Sequence, residues 1–174
     1  MRKNIITIFC VLIILLLQSC NGREQYPIEP QITFNSYKLI NENDVTVKCV
    51  LIIDFTDGDG DIGLEQGDTL PPYIPPYNNN LFVDYFEMQN GILTQVHSMD
   101  SSATIVNFNS RLPVLTPSGV NKNIKGTIYD TINFINTFTE YDTIMFSIYM
   151  VDRELHSSNV VESPLIVVKK NKDE

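Results

Sequence analysis

Beyond residue 30, apolar and polar residues alternate with a period of two over much of the chain, the spacing of half-buried β-strands. The clearest run is Val45–Phe55, where Val45, Val47, Cys49, Leu51, Ile53 and Phe55 share one face and Thr46, Lys48 and Asp54 the other. Ile32–Ile40 precedes it as a first strand. Leu81–Gln89 and Ile92–His97 flank Asn90-Gly91, a dipeptide that supplies the two positive φ angles of a type I′ turn, so they form a hairpin. Ala103–Phe108, Ile124–Ile135, Thr143–Val151 and Val160–Lys169 supply the later strands, with Ile144, Phe146, Ile148 and Met150 in alternation. No stretch after residue 20 carries a sustained helical period. This pattern predicts an all-β fold, an immunoglobulin-like β-sandwich over residues 31–169, with a small closed barrel as the alternative.

The N-terminus breaks that pattern. Arg2 and Lys3 precede an apolar run from Ile5 to Leu17 that Thr7 alone interrupts. Those residues would reach about 20 Å as a helix, short of the ~30 Å hydrocarbon core, so they read as a signal peptide rather than a membrane span. Leu17-Gln18-Ser19-Cys20 then resembles a bacterial lipobox, although Gln18 stands where a small residue is commoner. The resemblance implies cleavage after residue 19, acylation of Cys20 and anchorage in the membrane. Residues 20–30 read as the lipidated Cys and a polar tether, and residues 170–174 as a charged tail. Cys10 leaves with the signal, Cys20 carries lipid and Cys49 remains alone, so no disulfide is expected. Asn21 after Cys20, rather than Asp, points by analogy to an outer-membrane lipoprotein, with the face of that membrane left open.

Charge sharpens this picture. Twelve Lys and Arg stand against 21 Asp and Glu, a net charge of −9, which disfavours nucleic acid as a partner. Five of these acids are local, in Asp57-Gly58-Asp59-Gly60-Asp61-Ile62-Gly63-Leu64-Glu65 and the nearby Asp68. Three carboxylates at alternate positions, with glycine between them, can curl around a hard cation, and all-oxygen donors favour calcium or magnesium. The loop is not an EF-hand, because Ile62 occupies the position that needs glycine and no helices flank it. In an immunoglobulin-like order the Asp152–Asn159 loop emerges at the same end. It offers Asp152 as a further ligand, with Glu65 and Asp68 also possible. Alternatively, Arg153 neutralises the loop without metal, or the loop is simply solvated.

The lipobox, the Phe55–Gly63 stretch, Arg111–Pro117, Asp152-Arg153 and Ser158-Asn159 together resemble a group of Bacteroidota-type outer-membrane lipoproteins with an immunoglobulin-like sandwich. That resemblance implies a lipoprotein of the cell envelope and points to no particular activity. Asp68-Thr69, Asp130-Thr131 and Asp142-Thr143 resemble the acceptor sequence for O-glycosylation in exported proteins of such bacteria, making Thr69, Thr131 and Thr143 candidates. Pro71–Tyr77 reads as extended polyproline II that either covers a sheet edge or displays Tyr73 and Tyr77 to a ligand. His97, Ser98 and Asp100, like Asp152, His156 and Ser157, have triad residue types but no nucleophile elbow. The leading expectation is therefore a non-enzymatic envelope interaction module whose distal loops calcium stiffens, partnered by another envelope protein. The second is a carbohydrate-binding module of an outer-membrane nutrient-uptake assembly, with a glycan as ligand.

Overall fold

β-Branched and aromatic residues with period-two burial give eight strands in the computed structural model, which describes residues 24–97, 104–134 and 141–170. They are β1 (Gln31–Glu42), β2 (Val45–Asp57), β3 (Leu81–Gln89), β4 (Ile92–Gln95), β5 (Ile124–Asn133), β6 (Thr143–Met150), β7 (Val161–Glu162) and β8 (Ile166–Val167). One antiparallel sheet has the order β1-β2-β5; the other has the order β4-β3-β6-β7, with β8 also on β6. Among the described residues there is no helix. The proposed signal peptide, Cys20, Ser98, Asp100, Ala103, Ile135 and residues 171–174 lie outside the described residues.

The two sheets bury their facing sides in one core. Cys49, Leu51 and Ile53 of β2 meet Val83 and Tyr85 of β3 and Ile144, Phe146 and Ile148 of β6 in a single cluster. Each such side chain stabilises the fold by roughly 1.5–3 kcal/mol through removal from water. Asn90 (φ 52°) and Gly91 (φ 83°) make the expected turn between β3 and β4.

Three strand expectations are corrected. The inward face of β2 holds from Cys49 to Asp57 but not upstream, where Thr46 is buried and Val45 and Val47 are only partly so. Ile40 pairs with Lys48 and Asn41 with Thr46, so Val47 is an extra residue that shifts the alternation by one. Thr46 fits there because its hydroxyl donates to Asn41 Oδ1 and accepts from the Lys169 N–H. The expected Ala103–Phe108 strand is a string of isolated bridges beside β3 and His97, because Asn109 Oδ1 takes the Val83 N–H that a ladder would need. The expected Val160–Lys169 strand splits into β7 and β8 around Ser163-Pro164: Pro164 has no N–H, and the Ser163 hydroxyl accepts from Phe146 N–H instead.

β1, β3 and β5 begin, and β2 and β6 end, at one end of the sandwich. The acidic loop therefore shares that end with the loop after β6, as the sequence suggested. Asn159 sews the two sheets together there. Its amide accepts from Ile32 N–H and donates to Ile32 C=O, both at 2.9 Å, as a neighbouring strand would.

Candidate metal centre

β2 carries its inward alternation one step past Phe55, so Asp57 enters the end of the core with no exposed surface. The next residues pass close to three other segments, and glycine is what permits it. A Cβ on Gly58 would strike the carbonyls of Tyr26 and Pro27; one on Gly60 would strike Lys122 C=O, and one on Gly63 would strike Pro113 C=O. Gly60 and Gly63 also have positive φ, at 63° and 101°. Ile62, the residue that spoils the EF-hand pattern, is fully buried and plugs the end of the core. Its carbonyl accepts from Leu115 N–H at 2.9 Å, and Leu64 N–H donates to Leu112 C=O at 3.0 Å. The Arg111–Pro117 segment thus clamps the loop.

Within this frame, one carboxylate oxygen from each of Asp57, Asp59 and Asp61 lies within 4.8 Å of the others. Asp57 Oδ1 accepts from the N–H groups of Asp59 (3.1 Å) and Gly60 (2.9 Å). Asp61 Oδ2 accepts from Glu154 N–H at 3.1 Å, and Arg153 N–H donates to Asp61 C=O at 3.3 Å. Asp57 Oδ2, Asp59 Oδ1 and Asp61 Oδ1 are buried and accept nothing. An orphaned buried carboxylate oxygen costs more than a neutral one, and here there are three. Burial, then the neighbouring Asp59, pushes the Asp57 carboxyl up from 3.8 to about 7. Burial, with Asp152 and Asp59 nearby, pushes Asp61 from 3.8 to about 6. A hard divalent cation would supply what these oxygens lack, two positive charges and open coordination positions.

The expected ligand set divides. Asp152 is fully buried and close enough to raise Asp61, but both its oxygens are engaged by His156, one by the backbone N–H at 2.8 Å and one by Nδ1 at 2.9 Å. Burial raises the Asp152 carboxyl, and hydrogen bonding to Asp152 raises the His156 imidazole. Asp68 turns elsewhere, accepting from Arg153 Nη1 at 2.6 Å and Glu65 N–H at 2.8 Å. Glu65 is exposed. The Arg153 guanidinium goes to Asp68 and to the face of Tyr73, with 5.3 Å from Cζ to the ring centre, so it is not the counter-ion of the three aspartates.

Pro71–Tyr77 is not extended polyproline II. Both Pro-Pro bonds are cis, and turns are closed from Tyr73 N–H to Leu70 C=O and Asn79 N–H to Pro76 C=O. The Tyr73 hydroxyl donates to Arg153 C=O at 3.1 Å, which ties it to the loop after β6, whereas Tyr77 is exposed. Thr69 and Thr131 are exposed and Thr143 is half-buried, its hydroxyl donating to Asp142 at 2.9 Å.

Two participants were not expected at this site. His156 reaches Asp152 because Leu155, at φ 68°, reverses the chain between them. Residues of the expected tether are docked on this end rather than free. Gly58 N–H donates to Pro27 C=O at 2.8 Å, Tyr26 N–H to Asn123 Oδ1 at 3.3 Å, and Asn123 Nδ2 to Glu24 C=O at 3.1 Å. The acidic loop thus sits where the tether leaves the domain, not at the far end. Compared with protein-family models, curated proteins and solved structures, the chain matches none.

Proposed function

We propose that this chain is a non-enzymatic, lipid-anchored cell-envelope protein of the outer membrane, an interaction or accessory module stiffened by calcium. The observation that carries the metal reading is the set of buried oxygens on Asp57, Asp59 and Asp61 that accept no hydrogen bond. Oxygen-only donors favour calcium or magnesium over zinc, and calcium is the one that tolerates an irregular loop geometry. Asp152, already held by His156, would complete the negative wall beside the ion.

The order β1-β2-β5 against β4-β3-β6-β7 supports an immunoglobulin-like type, with the strands taken as A-B-E and C′-C-F-G. Cys20 lies four residues before Glu24, a reach of at most ~14 Å. Acyl chains on Cys20 would hold the calcium loop near the bilayer and turn the β3–β4 hairpin outward. The other reading, a carbohydrate module acting through Tyr73 and Tyr77, has less support, since Tyr73 is committed to Arg153 at both its ring and its hydroxyl.

Two measurements test the proposal. Metabolic labelling with a fatty-acid analogue is expected to mark the wild-type chain and not Cys20→Ala; equal labelling overturns the anchor. Calorimetric titration of chelator-treated protein with calcium is expected to show one site that Asp59→Asn abolishes; no heat, or heat unchanged in that variant, overturns the metal centre.

A further inference from the structure

Ile28, Leu70, Ile74, Val114, Leu115 and Val120 are all exposed, and none of them lies on a strand. They belong to three segments that reach one end of the sandwich: the chain before β1, the β2–β3 connection and the stretch before β5. The three pack against one another. Pro27 C=O accepts from Gly58 N–H, Leu115 N–H donates to Ile62 C=O, and Lys122 C=O leaves Gly60 no room for a Cβ. Val120 is fully exposed and Leu70 three-quarters so. Other exposed apolar residues are scattered, as Tyr37 on β1, Tyr129 on β5 and Val167 on β8.

Single apolar residues on a surface are ordinary, but a group of them on adjoining loops marks a place that meets another apolar phase. These loops are tied down. Leu70 C=O accepts from Tyr73 N–H, and Tyr73, between Leu70 and Ile74, is held by Arg153 at its ring and its hydroxyl. Lys122 Nζ donates to Pro117 C=O at 2.7 Å across the turn that carries Val120. The apolar tips are thus fixed in an exposed position, and covering them costs little further ordering. What covers them follows from where the chain enters. Residues 1–23 precede Glu24 at this same end and carry the apolar run Ile5–Leu17 and Cys20. Glu24 is fastened to Lys125 at 2.9 Å, at the start of β5, so a bilayer that holds Cys20 lies within ~14 Å of that point. The chain's net charge of −9 gives it no attraction to anionic headgroups, which leaves apolar contact as the driving force.

We infer that this end of the sandwich docks on a lipid bilayer, with Leu70, Ile74, Val114, Leu115 and Val120 entering the boundary between headgroups and acyl chains. The inference rests on the anchored reading for the nearness of the membrane, and adds a second contact made by the folded domain itself. The domain then stands fixed on the surface instead of swinging on a tether. Ile92, at the tip of the β3–β4 hairpin, is held roughly 30 Å away by the length of β3.

The chain contains no Trp, so a single introduced Trp reports alone. The test places the full chain carrying Leu70→Trp, Val120→Trp or Ile92→Trp in phosphatidylcholine vesicles with plain or brominated acyl chains. Bromine is expected to quench blue-shifted emission in Leu70→Trp and Val120→Trp and not in Ile92→Trp, although Ile92 is nearly as exposed as Leu70 in the fold. Adding Leu70→Asp and Val114→Asp to Val120→Trp is expected to abolish the quenching while the chain still sediments with the vesicles. Melting of every variant should match the wild type, which shows that they fold. The inference is overturned by no quenching, by equal quenching in Ile92→Trp, or by a blue shift without quenching, which means that protein covers the tips. Failure of the anchor reads differently: fatty-acid labelling that survives Cys20→Ala removes the anchor, and quenching in that same background upholds the docking.

Discussion

Removing metal should leave a domain that loses stability as the pH rises, the opposite of the usual behaviour of surface carboxylates. Asp57 changes from 3.8 to about 7 on folding and Asp61 from 3.8 to about 6, so between those limits the folded chain holds protons that the unfolded chain has released. Stability is then fully present below pH ~4 and is lost as the pH rises through 6 to 7. At ~1.4 kcal/mol per pH unit, Asp57 alone accounts for roughly 4 kcal/mol. A direct estimate agrees in size: two carboxylates within 4.8 Å repel by at least ~3 kcal/mol at an effective dielectric near 20. On the proposed metal reading, calcium would reverse the sign by binding the ionised form. At a hundredfold excess over its dissociation constant it would add about 2.7 kcal/mol, or roughly 5–10 °C in Tm for a domain of this size.

The assay is a grid of melting temperatures from pH 4 to 8, with chelator or with calcium. The chelated protein should melt lower at pH 7.5 than at pH 5, and calcium should close that gap. Asp57→Asn keeps an oxygen for the N–H groups of Asp59 and Gly60 but removes the charge. It should flatten the slope without metal and abolish the calcium response. A chelated wild type whose Tm is the same at pH 5 and pH 7.5 and is unmoved by calcium would refute the reasoning.

Other consequences follow from single contacts. Gly58→Ala should cost several kcal/mol by urea denaturation, because the new methyl group meets the backbone carbonyls of Tyr26 and Pro27, not a side chain that could move aside. Asn159→Ala leaves Ile32 N–H and C=O without partners and should cost about 1–3 kcal/mol in the same assay. Cys49 is fully buried, and burial raises its thiol to about 12, so iodoacetamide should label it only in denaturant. Rapid labelling of the native protein at Cys49, read by peptide mass, would contradict the packing of β2.

Most strands were legible in the sequence because their signal is local. Cys49, Leu51, Ile53, Phe55 and Asp57 of β2 and Ile144, Phe146, Ile148 and Met150 of β6 are buried against the facing sheet, and that requirement is written at every second position. The β3–β4 turn was legible for the same reason, since Asn90-Gly91 carries its own backbone preference. The bulge at Val47 was not, because it is set by how β1 pairs with β2, and one extra residue exchanges the faces of all those beyond it. The irregular segment beside β3 was misread because Asn109 replaces a backbone acceptor with a side chain, an exchange that composition does not record.

The acidic loop divides along the same line. Its sequence alone determined that three carboxylates would crowd together, since glycines at alternate positions let the chain curl. Tertiary structure decided which carboxylates remain. Arg153 draws Asp68 away, His156 holds Asp152, and the glycines prove to be the clearance for Tyr26, Pro27, Lys122 and Pro113. A preference of φ and ψ is a property of a residue and its neighbours. The partner of a charge depends on which segments the packed sheets bring to the same end, and only the folded chain sets that.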